Sequence, residues 1–82
     1  MINILFFASL RDQLNCEQMT LDVSSPTTVD DVIKQLKAQG EGWAEAFSKS
    51  KILSAVNQQI VGGAHTIQQH DEVAFFPPVT GG

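Results

Sequence analysis

The sequence predicts an α+β fold, a mixed β-sheet covered on one face by one main helix, and three observations carry that expectation. Two strand-like segments precede a strongly capped helical segment, and several short strand-like segments follow it. Hydrophobic residues make up 43% of the 82 residues and charged ones 17%, an ordinary globular balance that fits neither a disordered chain nor a coiled coil. The last strand-like segment runs straight into two prolines, so a domain over residues 1–76 should give way to an extended tail over residues 77–82.

The elements follow in order. Ile2 to Ala8 is rich in aromatic and β-branched residues without clean alternation, which predicts a central strand buried on both faces. Ser9 with Asp12 three residues on suggests one capped helical turn through Leu14. Met19, Leu21 and Val23 alternate with polar neighbours as a half-buried strand does. Ser24, Ser25, Pro26 and Thr27 break the chain, and Thr28 with Asp31 forms a capping box for a helix carrying Val29, Val32, Ile33 and Leu36, with Gly40 as its stop. Gly42 to Phe47 reads as a short second helix. Ile52 to Val56 is a strand, Asn57 and Gln58 a turn, Ile60 and Val61 a short strand, and Gly62 and Gly63 a loop. His65 to Gln69 reads as irregular, and Val73 to Phe76 as the last strand. This succession is the β-grasp arrangement.

Composition also narrows function. A chain of this length has room for one core and none for a separate catalytic domain. Nine acidic residues against five basic ones give a net charge of −4, the wrong sign for a phosphate backbone, so no nucleic acid is expected as a partner and basic protein surfaces are favoured. The single cysteine, Cys16, cannot close an internal disulfide, and no basic residue precedes Arg11 as a secretory signal requires. A reducing, cytoplasmic setting is expected. The longest strictly apolar run, Ile4 to Ala8, falls far short of the roughly 20 residues of a membrane helix.

The tail is where chemistry is expected. Gly81 and Gly82 have no Cβ, so their backbone can thread a channel that a side chain would block, and Gly82 would deliver a free carboxylate. A carboxylate is a poor electrophile at neutral pH and must first gain a better leaving group, most simply as an acyl-adenylate from ATP. The sequence has no Gly-rich phosphate loop followed by Lys and Ser or Thr, so no cofactor is expected on this chain and an activating partner must hold the ATP. Cys16 lacks a neighbouring base and reads as structural or incidental. His65 and His70, with Asp71 and Glu72 beside the second, do not have the ligand number or spacing of a zinc site, and no metal is expected. Phe6 with Phe7, and Phe75 with Phe76, must each place one ring on either side of a strand. Either both faces are buried, or the outer rings form an apolar docking patch near the root of the tail, which Ile60 could join.

The ending Asp71-Glu72-Val73-Ala74-Phe75-Phe76-Pro77-Pro78-Val79-Thr80-Gly81-Gly82, the run Ala55-Val56-Asn57-Gln58 and the start Leu5-Phe6-Phe7-Ala8 with Arg11 together resemble the MoaD family of ubiquitin-like sulfur carriers, the small subunits of molybdopterin synthase. The resemblance spans the whole chain. It implies that Gly82 is adenylated by a MoeB-like adenylyltransferase using ATP and converted to a thiocarboxylate by a sulfur donor the sequence does not name. The tail, Val79, Thr80 and Gly81 included, would then enter a MoaE-like large subunit, whose active site passes the sulfur to cyclic pyranopterin monophosphate and builds the molybdopterin dithiolene. It further implies a heterotetramer of two small and two large subunits, an apolar docking surface of Phe7, Ile60 and Phe76 continued by Pro77 and Pro78, and Arg11 as a polar rim contact. Where the family commonly has Gly before the Asp-Glu-Val strand, this chain has His70, which tolerates a positive φ less well. The competing reading is a ubiquitin-like modifier conjugated to other proteins through Gly82.

Overall fold

The structure, a computed structural model, describes residues 1–24, 26–49 and 51–78. Along the chain run β1 (Ile2–Phe6), α1 (Ala8–Leu14), β2 (Gln18–Leu21), β3 (Thr27–Thr28), α2 (Val29–Lys37), α3 (Glu41–Lys49), β4 (Leu53–Val56), β5 (Gln59–Val61), β6 (Thr66–Ile67) and β7 (Glu72–Phe76). Five strands form one mixed sheet in the order β2-β1-β7-β4-β5, and β3 pairs with β6 apart from it. β1 and β7 are parallel and the other pairs antiparallel. The first and last strands thus lie side by side at the centre, and the intervening chain is their crossover. The α+β, β-grasp expectation holds.

Register explains which side chains meet the core. Ile4 pairs with Val73 and Phe6 with Phe75 across β1 and β7, Val56 pairs with Val73 across β4, and Ile2 pairs with Leu21 across β2. Paired residues share a face, and Ile2, Ile4, Phe6, Val73 and Phe75 are all buried there. Leu10 and Leu14 of α1, Val29, Val32 and Leu36 of α2, and Ala46 of α3 join the same cluster, so the three helices send their buried side chains to one face of the sheet. The expectation that the first strand is buried on both faces is corrected. β1 ends at Phe6 rather than Ala8, and its burial alternates, with Asn3 exposed and Leu5 only partly covered. A strand flanked on both edges need not be covered on both faces, and the aromatic doublet hid the alternation.

The helical cover is divided more evenly than one main helix would make it. α2 begins as its sequence predicts: the Asp31 N–H donates to Thr28 Oγ1 at 3.2 Å and the Thr28 N–H donates to Asp31 Oδ2 at 3.1 Å, completing the capping box. Two further N–H groups at that end, those of Val29 and Asp30, donate to the carbonyls of His65 and Gly63. α2 stops at Lys37 with Ala38 right-handed. Gly40 is not its left-handed stop; its carbonyl instead accepts the Ala44 N–H and opens α3. α3 equals α2 in length, nine residues each, because Trp43 and Phe47, one turn apart, both find aromatic partners. Trp43 meets Phe6 edge-on at 5.5 Å and Phe47 meets Phe75 edge-on at 5.3 Å, geometries that favour aromatic pairs beyond their buried area.

Two further expectations are corrected. α1 is not capped by Ser9: Phe7 occupies the N-cap position with no side-chain hydrogen bond, and the helix runs two turns. The stretch His65 to Gln69 is not wholly irregular, since Thr66 and Ile67 pair with Thr28 and Thr27, and Ile67 is buried in the core. A two-residue ladder is too short to leave a periodic signal in sequence.

Candidate functional site

The face of the sheet opposite the helices is where the predicted docking residues fall. Leu5 pairs with Ala74, Ala74 with Ala55, and Ala55 with Ile60, so one apolar row crosses four strands. Phe76 pairs with Leu53 one step closer to the tail. Ile60 is 69% exposed and Phe7 46% exposed, while Leu5, Leu53, Ala74 and Phe76 are partly covered. The two aromatic doublets split as strand geometry requires. Phe6 and Phe75 are buried, with ring centroids 6.2 Å apart, and Phe7 and Phe76 stand outside the helix-covered core. Of the two readings open from sequence, the apolar outer face is the one the structure shows.

Phe7 is held beside this face by the backbone. Its N–H donates to the Phe75 carbonyl at 3.2 Å, extending the β1 to β7 ladder one residue beyond β1, and its carbonyl accepts the Arg11 N–H at 3.4 Å. Arg11 therefore sits one turn beyond Phe7 on α1, its side chain half exposed and its Nε 3.9 Å from the Asp12 carboxylate. Pro77 and Pro78 are partly buried and continue from β7 at the same end of the sheet. Val79, Thr80, Gly81 and Gly82 lie outside the described residues. The structure thus brings Ile60, Phe76, Phe7 and the two prolines to one region, with Arg11 one helical turn away. Sequence reasoning did not assign Leu5, Leu53, Ala55 and Ala74 to this face, which they complete; only the pairing of β7 with β1 and β4, and of β4 with β5, reveals them.

The opposite end of the sheet is a network of turns. Asn57 and Gln58, at φ 49° and 72°, form the two-residue hairpin between β4 and β5, the arrangement of a type I′ turn. The Asn57 side chain donates to Asp71 Oδ1 at 3.1 Å and accepts the Glu72 N–H at 3.0 Å, and the Asp71 carboxylate also accepts the Gln68 N–H at 2.9 Å. His70, at φ 73°, adopts the left-handed conformation for which its place in the sequence favours glycine. Its N–H donates to the Met1 carbonyl, while the terminal amine donates to the Gln69 side chain. Cys16 is partly buried against the core with its thiol directed at the Gln18 carbonyl, consistent with a structural residue. Among the described residues no three His, Cys, Asp or Glu side chains gather as a metal site, and no helix is long and apolar enough to cross a membrane.

Residues 4–82 match the ThiS family. Over 82 residues, all of both chains, the sequence is 43% identical to the molybdopterin synthase sulfur carrier subunit of Escherichia coli (strain K12). Among solved structures, a putative molybdopterin converting factor subunit 1 from Pyrococcus furiosus is similar with a TM-score of 0.81 and 23% identity, covering 95% of this chain and 97% of that one. A chain from the complex of subunits 1 and 2 of the molybdopterin-converting factor of Helicobacter pylori 26695 gives a TM-score of 0.71 at 18% identity, covering 99% and 97%. At those identities the two structures bear on the fold alone, which both share. The end-to-end sequence match says more: the protein belongs to the ThiS family, and its full-length kinship is with the molybdopterin synthase sulfur carrier subunits.

Proposed function

We propose that this protein is the sulfur-carrying subunit of a molybdopterin synthase, a donor rather than a catalyst, whose reacting group is the carboxylate of Gly82. The observation that supports this most is the coincidence of full-length kinship with an apolar sheet face left open beside the root of the tail. Phe7, Ile60 and Phe76 dock a large subunit of the MoaE kind, Arg11 makes a polar contact at the rim, and Pro77, Pro78 and Val79 lead Thr80, Gly81 and Gly82 into the partner's active site. Proline fixes φ and donates no backbone N–H, so the start of the arm is stiff and leaves the sheet instead of adding to it.

The chemistry divides between partners. A MoeB-like adenylyltransferase holds the ATP; the Gly82 carboxylate attacks its α-phosphorus and pyrophosphate leaves. The terminal sulfur of a persulfide donor then displaces AMP to form an acyl disulfide, and a thiol cleaves its S–S bond, releasing the thiocarboxylate and leaving a disulfide on the donor side. In the large subunit the thiocarboxylate sulfur passes to cyclic pyranopterin monophosphate and Gly82 returns to the carboxylate, so two charged carriers supply one dithiolene. Two small and two large subunits assemble as a heterotetramer in the cytoplasm.

Incubation of the protein with ATP, the adenylyltransferase, a persulfide donor and a thiol reductant tests this reading by intact mass. A sulfur carrier gains the difference between one sulfur and one oxygen atom, and gives no conjugates in lysate. A ladder of higher-mass adducts joined through Gly82, with no thiocarboxylate, would instead identify a modifier.

A further inference from the structure

Among the described residues, five other than glycine have a positive φ: Ala8, Asn15, Asn57, Gln58 and His70. Asparagine tolerates this region, Asn15 is the ordinary left-handed end of α1, and Gln58 and His70 lie in tight turns at the end of the sheet away from the tail. Ala8, at φ 56°, is different. It has no side-chain donor or acceptor to stabilise the conformation, and it joins the last rung of the central ladder to the first turn of α1. Such strain persists only where the surroundings fix it. Here the fixing contacts are the Phe7 N–H on the Phe75 carbonyl, the Arg11 N–H on the Phe7 carbonyl, and Leu10 buried in the core two residues on.

We infer that the left-handed backbone at Ala8 presents Phe7 and Arg11 to the partner, making Ala8 a positioning residue for docking; this rests on the docking surface proposed above. Phe7 is extended, at φ −123° and ψ 157°. By the β1 to β7 register, an extended residue 8 would carry the chain on beside Pro77 and draw Leu10 out of the core. The left-handed turn instead leaves the exposed Phe7 outside the helix-covered core and sends the chain into α1, whose Leu10 joins the core and whose Arg11 N–H is bonded to the Phe7 carbonyl one turn on. Ala8 is itself exposed, so a larger side chain there meets backbone strain and not a crowded core.

The test titrates thiocarboxylated protein against the large subunit and its pterin precursor. Ala8→Val makes the left-handed conformation less accessible, because valine is β-branched. The half-saturating concentration should rise about tenfold while the rate at saturation stays unchanged, and Ala8→Gly should keep the wild-type value. His70→Val, strained alike at the far end, should lower the melting temperature without moving half-saturation. In a Phe7→Ala background the effect of Ala8→Val should shrink markedly, leaving only the part that acts through Arg11. Should Ala8→Val lose its melting transition, Ala8→Leu, with a milder penalty, is read in the same way. An undiminished Ala8→Val effect without the Phe7 ring, or one no larger than that of His70→Val, overturns the inference. Ile60→Asp separates the two levels: if it leaves half-saturation unmoved the docking surface is wrong, and if it alone raises half-saturation only the role of Ala8 falls.

Discussion

Single residues show most clearly where physical chemistry and sequence disagree. His70 stands at φ 73°, a region that disfavours a side chain by roughly 1–2 kcal/mol. Part of that strain is offset because glycine makes the unfolded chain more flexible. His70→Gly should therefore stabilise the protein by about 0.5–1 kcal/mol, seen as a melting temperature raised by about 3–6 °C; a lower melting temperature would mean that the imidazole makes a contact outweighing the strain. Phe75 tests the other extreme. It is fully buried, pairs with Phe6 and stacks edge-on with Phe47, so Phe75→Ala should cost about 3–5 kcal/mol in a urea titration. The departure at His70 was legible through the family resemblance, which puts glycine at that place before the last strand. Ala8 was not, because alanine in a strand-to-helix connection carries no local sign of a positive φ.

Among the elements, legibility followed how local the determinants are. α2 was readable in the sequence because its capping box lies within four consecutive residues and its apolar spacing within nine. That box gives a direct check: Thr28→Ala should lose about 1 kcal/mol, appearing as a lower urea midpoint with an unchanged slope. The pairing of Thr27 and Thr28 with Ile67 and Thr66 was not readable, since it joins segments about forty residues apart through two residues each. The open face shows the same division. Phe7 and Phe76 announced themselves as doublets and Ile60 as an apolar residue that could join them, but Leu5, Leu53, Ala55 and Ala74 join them only through the registers of β1, β4, β5 and β7.

At the scale of the whole molecule, the proposed function divides stability and recognition between the two faces of one sheet. The helix-covered face holds the core, and the opposite face presents apolar side chains beside the root of the tail. Ile60→Asp should accordingly leave the melting temperature within about 2 °C of the native value and weaken large-subunit binding by about 2 kcal/mol, roughly thirtyfold by calorimetry. Loss of folding with affinity retained would place Ile60 in the core instead. The proposed sulfur delivery depends further on reach, because one residue of extended chain spans about 3.5 Å, more than reacting groups tolerate. The most direct measurement supplies chemically prepared thiocarboxylate protein to the large subunit with cyclic pyranopterin monophosphate, for the full chain and for one lacking Gly82 with the thiocarboxylate on Gly81. The account predicts one dithiolene for every two full-length carriers consumed and essentially none from the shortened carrier, even though both bind. Robust dithiolene formation from the shortened chain, or none from the full one, would contradict it.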